Sequence, residues 1–272
     1  MRRLSIRLIP IAIALLIVWF QFDSSEKFTN EAGRSTHLAL SPAQEETLGL
    51  QSYQQVLSES DTIRSGPEYD LVSGVAARLA QATGKDFKWA VSVVRSPQVN
   101  AFCLPGGKIV VYTGILPVAE NPAGLATVMG HEMAHATLRH GSERMLKQKL
   151  TQTAMSGVQF SLGDMSYEQQ RAVMGAIGAG AQYGLLLPFG RDHESEADAV
   201  GLRYMARAGY DPNEAVAFWE RMGQEGGKQP PEFMSTHPSH GTRVARLKEL
   251  LPSAMEEYRK SGGRAAQPQL ER

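Results

Sequence analysis

Residues 121–141, Asn121-Pro-Ala-Gly-Leu-Ala-Thr-Val-Met-Gly-His131-Glu132-Met-Ala-His135-Ala-Thr-Leu-Arg-His140-Gly141, decide how the rest of the chain is read. Asn121 and Pro122 open a helix, proline being tolerated in a first turn, and Gly141 is expected to close it. His131 and His135 lie four residues apart, so both imidazoles leave one helical face and can share a metal ion, with geometry favouring zinc. Glu132 projects about 100° round from His131. There it reaches a water activated by the metal rather than the metal itself, the position of a general base. A helix with two surface histidines and an ordinary acid would show the same pattern, so a third ligand has to be found elsewhere.

His140 is one candidate. The metzincin pattern places glycine three and histidine six residues after the second ligand, and here Leu138 and Gly141 stand in those places. His140 is therefore expected to point away from the site, as a cation at the helix C-terminus. The better candidate is Glu194, in Glu194-Ser-Glu196-Ala-Asp198 on a second helix. Glu194 and Asp198 share a face, so one carboxylate can bind zinc while the other accepts the N–H of a liganding histidine. The apolar stripe Val200, Leu202, Met205 that follows marks a packed helix rather than a solvated acidic one. Glu196 points to another face and reads as surface, as does His193.

A chain of 272 residues, 42% hydrophobic and 21% charged, builds one substantial core, and one catalytic domain is expected. Its 28 Lys and Arg balance 28 Asp and Glu; with no long basic run, nucleic acid is not an expected partner. The single cysteine, Cys103, excludes an internal disulfide. It reads as a small packed hydrophobe, because no catalytic dyad is written beside it. Arg2, Arg3 and Arg7 precede an uncharged run, Leu8–Phe22 (LIPIAIALLIVWFQF), the layout of a secretory signal or signal anchor. As a helix the run is about 22 Å long, and extension to Leu4 with Arg7 snorkelling brings it close to a ~30 Å hydrocarbon core. No small-x-small pair and no lipid-accepting cysteine follow. Residues 1–22 are therefore expected to stay as an uncleaved inner-membrane anchor, the alternative being cleavage and release. The cationic end stays in the cytoplasm and the remainder faces the periplasm of a bacterium.

The expected order is a polar tether over 23–41, a metallopeptidase domain over 42–260 and a loose tail over 261–272. Helices are expected over Pro67–Ala82, from Asn121 to about His140, His193–Ala208 and Thr242–Tyr258. Lys88–Val94 reads as a strand, and Val99–Leu116 as two extended segments around a Pro105-Gly106-Gly107 turn. The class is thus α+β, mainly helical, with a small sheet beside the histidine helix. Lys108–Tyr112 (KIVVY) reads either as a core strand or as an exposed edge on which Lys108, Val110 and Tyr112 receive an extended peptide. The uncharged, glycine-rich run Val173–Gly190 reads as a helix packed on the protease core or over its cleft, not as a membrane span.

With these motifs in place the sequence resembles the gluzincin metallopeptidases of the HtpX, CAAX prenyl protease and mitochondrial Oma group, most closely the periplasmic LoiP and BepA type. The carriers are Asn100-Ala-Phe-Cys-Leu-Pro-Gly-Gly107 with Val111-Tyr-Thr-Gly114, His131–His135, Glu194–Asp198, Ala208-Gly-Tyr-Asp-Pro212 and His237-Pro-Ser-His-Gly-Thr-Arg243. The resemblance implies a zincin-type fold, one zinc ion per chain, Glu194 as third ligand and Asp198 orienting a histidine. It places His237 on a loop near the metal, where it either occludes the zinc or stabilises the oxyanion. Gly226-Gly227 and Pro230-Pro231 fit such a loop, and Arg243 pairs with a carboxylate of the site or with substrate. The implied activity is hydrolysis of internal peptide bonds in unfolded or damaged envelope proteins. The rival is a membrane-tethered, chaperone-like binding module whose zinc is structural and closed by His237.

Overall fold

The computed structural model describes residues 2–163, 165–184, 190–224, 232–237 and 242–263. In chain order the elements are α1 (Arg2–Asp23), β1 (Glu26–Thr29), β2 (Ser35–Leu38), α2 (Pro42–Ser58), β3 (Thr62–Ile63), α3 (Pro67–Thr83), β4 (Ala90–Val94), β5 (Ala101–Leu104) and β6 (Lys108–Tyr112). There follow α4 (Leu116–Ala119), α5 (Pro122–Thr137), α6 (His140–Ser161), α7 (Tyr167–Gly184), α8 (Arg191–Arg207), α9 (Asn213–Gln224), α10 (Glu232–Thr236) and α11 (Arg243–Lys260). The chain divides into two units, Met1–Ser41 with Gly141–Leu187, and Pro42–His140 with Pro188–Arg272.

The larger unit is α+β and mainly helical, as the sequence indicates. Its sheet has the order β3-β4-β6-β5, with β4 and β6 parallel and the outer strands antiparallel to their neighbours. Lys108 to Val111 are all buried, because β6 is paired on both sides and covered on both faces. The edge next to it is β5, and α5 lies against β5. Asn121 caps α5, its Oδ1 accepting from the N–H of Ala123 and Gly124 at 2.9 Å each, with Pro122 in the first turn. α5 is buried almost throughout, its Leu125, Met129 and Met133 meeting Val72 and Leu79 of α3, Val200 and Met205 of α8 and Phe218 of α9 in one core.

Two features of this unit set the geometry of its interior. Gly130 of α5 and Gly201 of α8 let the helix backbones touch: a Cβ on Gly201 would stand 2.8 Å from the His131 nitrogen and 2.9 Å from the Gly130 carbonyl. At the other end, α5 stops at Thr137 and Arg139 takes φ 59. A left-handed backbone costs a side-chain residue roughly 1–2 kcal/mol. A buried ion pair holds this one, Arg139 Nε donating to Glu45 Oε2 of α2 at 2.9 Å.

The smaller unit departs from expectation. The segment read as a tether folds as the β1–β2 hairpin, and Arg34 from its turn makes a bidentate pair with Glu143 of α6 at 2.8 and 3.1 Å. The helix expected to end near Gly141 instead breaks at Arg139 and resumes as α6. α7 occupies most of the glycine-rich run and belongs to this unit. In α1, Ala14 is buried where Gly157 of α6 lets the helices approach, while Leu8, Ile9, Ile13, Leu15, Leu16, Trp19 and Phe20 are each more than half exposed. Among the described residues no helix is long and apolar enough to cross a membrane. Gly226-Gly227, Pro230-Pro231 and the end of the tail lie outside the described residues.

The Gly130–Gly201 contact yields a direct test. Gly201→Ala has to push α8 off α5, an overpacking that costs roughly 1–3 kcal/mol. Denaturant unfolding should report that loss, and chelator competition a parallel loss of metal affinity; an unchanged midpoint would show that the helices are not in backbone contact.

Candidate metal centre

Helix α5 brings His131, Glu132 and His135 to one end of the core, and α8, held at backbone distance, brings Glu194 and Asp198 opposite. His237 enters from the residue after α10, its ring stacked on Phe233 at 4.6 Å, and Arg243 from the start of α11. One donor atom from each of His131, His135, Glu194 and His237 falls within 4.8 Å of the others, and all four residues are buried. The separations are 3.1 Å for His131 Nε2 to His135 Nε2, 3.5 Å and 3.4 Å from those nitrogens to the two Glu194 oxygens, and 3.3 Å from His131 Nε2 to His237 Nδ1.

These distances suit a metal. Ligands about 2.0–2.1 Å from a tetrahedral zinc ion stand about 3.3–3.4 Å apart. The outward nitrogens are engaged: His131 Nδ1 is 2.9 Å from Asp198 Oδ1, and His135 Nδ1 is 2.9 Å from His140 Nδ1. Nε2 of both rings is thus turned to the centre. Glu132 Oε1 is buried with no hydrogen-bond partner among the described residues, 3.4 Å from His237 Nε2. A buried acceptor left without a donor is costly unless a ligand completes it. Arg243 braces the carboxylates, with Nε donating to Asp198 Oδ2 at 2.8 Å and Nη2 to Glu194 Oε2, while its guanidinium lies 3.9 Å over the Trp219 ring.

The protonation pattern follows from these contacts. Burial pulls the His131 pKa down, but hydrogen bonds and charge from Asp198 and Glu194 outweigh it and leave the group at about 9. His135 is held well below its ordinary value, by burial first and by its cationic neighbours. Burial opposes ionisation of Glu194, yet bonds to His131, His135 and His237 keep its carboxyl far below the usual range. Burial raises Glu132, against the charges of His237 and His131 and a hydrogen bond from the Cys103 backbone. The Cys103 thiol is pushed well up by burial and by Glu132, which leaves it no thiolate for nucleophilic attack.

The structure thus gathers His131, Glu132, His135, Glu194, Asp198, His237 and Arg243 into one cluster. It does not bring the expected substrate strand there. Lys108, Val110 and Tyr112 lie on β6, whose backbone is paired with β4 and β5, and Lys108 Nζ donates to the carbonyls of Lys88 and Gly106 at 2.5 and 2.9 Å. The strand beside Glu132 is the edge strand β5. Two further residues read as peripheral are interior, His140 being fully buried and His193 stacking on it at 4.3 Å, and a third, Glu196, is partly buried with Oε2 3.0 Å from His140 Nε2. Their one sequence signal is a histidine five residues past the second ligand, which an unbroken helix would turn away.

A helix bearing two histidines and a base, crossed by a second helix bearing a carboxylate, defines a zincin-type metal-site domain. The chain belongs to peptidase family M48, whose model matches residues 69–251. It is 38% identical over 217 residues to the mitochondrial metalloendopeptidase OMA1 of Schizosaccharomyces pombe, covering 77% of this chain and 62% of that one. Against the Saccharomyces cerevisiae protein of that name the identity is 32% over 255 residues, 84% and 70%. The beta-barrel assembly-enhancing protease of Escherichia coli is 27% identical over 231 residues, 82% of this chain and 47% of that one. The chain therefore spans about half to two thirds of the length of most of these relatives.

The His131 environment sets a pH dependence for metal uptake. In the metal-free protein His131 carries a proton below about pH 9, and a liganding imidazole must lose it. Apparent zinc affinity, measured by chelator competition, should rise about tenfold per pH unit from about 7 to 9 and then level off. A flat profile would contradict a protonated His131.

Proposed function

We propose that the chain is a zinc metalloendopeptidase, with His131, His135 and Glu194 as ligands and Glu132 as general base. The observation that carries this reading is the buried Glu132 Oε1, without a hydrogen-bond partner among the described residues, beside a buried donor set of His131, His135 and Glu194. Held by His131, His135 and Glu194, a zinc ion would supply Lewis acidity towards a scissile carbonyl and water. Glu132 takes a proton from the attacking water and returns it to the leaving amine, and its burial-raised pKa makes it a better base than a surface glutamate. An extended peptide aligned on the edge strand β5 would carry its scissile bond past Glu132, gaining backbone hydrogen bonds with little sequence preference. That mode suits unfolded or damaged polypeptides as substrates.

His237 shares the donor cluster, 3.1 Å from Glu194 Oε1. In that position it fills the place of substrate, which favours a latent enzyme opened by withdrawal of His237; Nε2, facing Glu132, is then placed to donate to a developing oxyanion. The same contact is what supports the rival reading, a binding module with a closed structural site.

The exposed apolar faces of α1 favour lipid as their surroundings, with residues 1–22 as an anchor. Arg2, Arg3 and Arg7 at one end favour a cytoplasmic side for that end and a periplasm-facing peptidase, with envelope proteins as substrates.

Degradation of casein by the full chain in detergent, with Glu132→Gln and His237→Ala in parallel and zinc content measured in each, tests the proposal. Cleavage should vanish in Glu132→Gln with zinc retained, and should increase in His237→Ala. A zinc-loaded parent and a zinc-loaded His237→Ala that both leave casein intact would overturn the enzyme reading in favour of the closed site.

A further inference from the structure

We infer that His140, which is buried, and Glu196, which is partly buried, form a relay that positions His135 as a metal ligand, a second arm matching Asp198 on His131. The inference rests on the metal-site reading above. In an unbroken helix His140 would stand about 140° round from His135 and its ring would be out of reach. The left-handed Arg139 interrupts the helix and lays the His140 ring beside that of His135, centroids 4.9 Å apart. Glu45, paired with Arg139, fixes the corner.

A metal on His135 Nε2 sets the arrangement of protons along the relay. His135 Nε2 faces His131 Nε2 and Glu194, so it is the ligand nitrogen and the ring hydrogen sits on Nδ1. Its neighbour at 2.9 Å, His140 Nδ1, must then accept. A neutral imidazole accepting at Nδ1 carries its hydrogen on Nε2, and His140 Nε2 meets the Glu196 carboxylate at 3.0 Å. Glu196 thus accepts from His140, and His140 accepts from His135. His140 is fully buried, with His193 stacked against it at 4.3 Å and 19°, so water is kept from the His135–His140 contact, while the partly buried Glu196 closes the outer end. His131 receives its orientation from a carboxylate directly, whereas His135 receives it from an imidazole backed by one.

His140 and Glu196 are therefore positioning residues, and their removal should show in metal binding without any peptide being cut. Zinc affinity by chelator competition is compared for the full chain carrying Glu132→Gln and, on that background, His140→Leu, His140→Gln, Glu196→Leu and Glu196→Gln. His140→Leu and Glu196→Leu should weaken zinc roughly 10–100-fold. His140→Gln keeps an acceptor for His135 and a donor for Glu196, and Glu196→Gln keeps an acceptor, so both should stay within about threefold. Long-range 1H–15N spectra of the histidine rings should show His135 protonated at Nδ1 in the parent and in His140→Gln, and a mixed tautomer in metal-free His140→Leu. Zinc affinity in a folded His140→Leu within about twofold of the parent, or glutamine variants as weak as the leucine ones, would overturn the relay while leaving the metal site standing. A parent that takes up no zinc would overturn both. Should His140→Leu fail to fold, the Glu196 pair decides the matter in the same way.

Discussion

The structure depends on the backbone contact of α5 with α8 at Gly130 and Gly201. Ligands on one helix share a face through sequence spacing alone, but a ligand from another helix arrives only if the axes come close enough. With side chains at these positions α8 would stand off, and Glu194 would no longer lie within 3.4–3.5 Å of His131 and His135. The same contact carries Asp198 to the back of the His131 ring. One pair of glycines therefore sets both the metal-facing distances and the support behind them.

A buried group of three imidazoles and three carboxylates is expensive unless each member is partnered. The partners here form a continuous set. Arg243 spans Glu194 and Asp198, Asp198 holds His131, His140 and Glu196 hold His135, and Glu194 faces all three central histidines. Glu132 is partnered on one side only: the Cys103 backbone donates to its carboxylate, while Oε1 has no hydrogen-bond partner among the described residues.

Much of this was legible because the relevant signals are local. The 3.6-residue period marks α3, α8 and α11, the Asn121-Pro122 start marks α5, and four-residue spacing marks both the His131–His135 pair and the Glu194–Asp198 pair. What was not legible depends on distant parts of the chain. Gly141 looks like the helix stop, yet the break falls at Arg139, a non-glycine residue held left-handed by a glutamate on α2. Without that corner His140 cannot be placed, and Glu196 and His193, which meet it, look like surface. Strand order has the same character: β5 and β6 both read as extended, but only the pairing β4-β6-β5 decides that β6 is interior and β5 the edge. The β1–β2 hairpin lies in a segment too polar for a strand pattern to stand out.

The central claim is that His131, His135 and Glu194 hold a metal ion with Glu132 beside it and His237 able to take or leave the remaining position. X-ray absorption at the zinc edge, on the zinc-loaded full chain and on His237→Ala, tests it most directly. The account predicts a nitrogen and oxygen shell near 2.0–2.1 Å with no sulfur, and one imidazole fewer in His237→Ala. A sulfur scatterer near 2.3 Å, or an imidazole signal unchanged by the loss of His237, would contradict it.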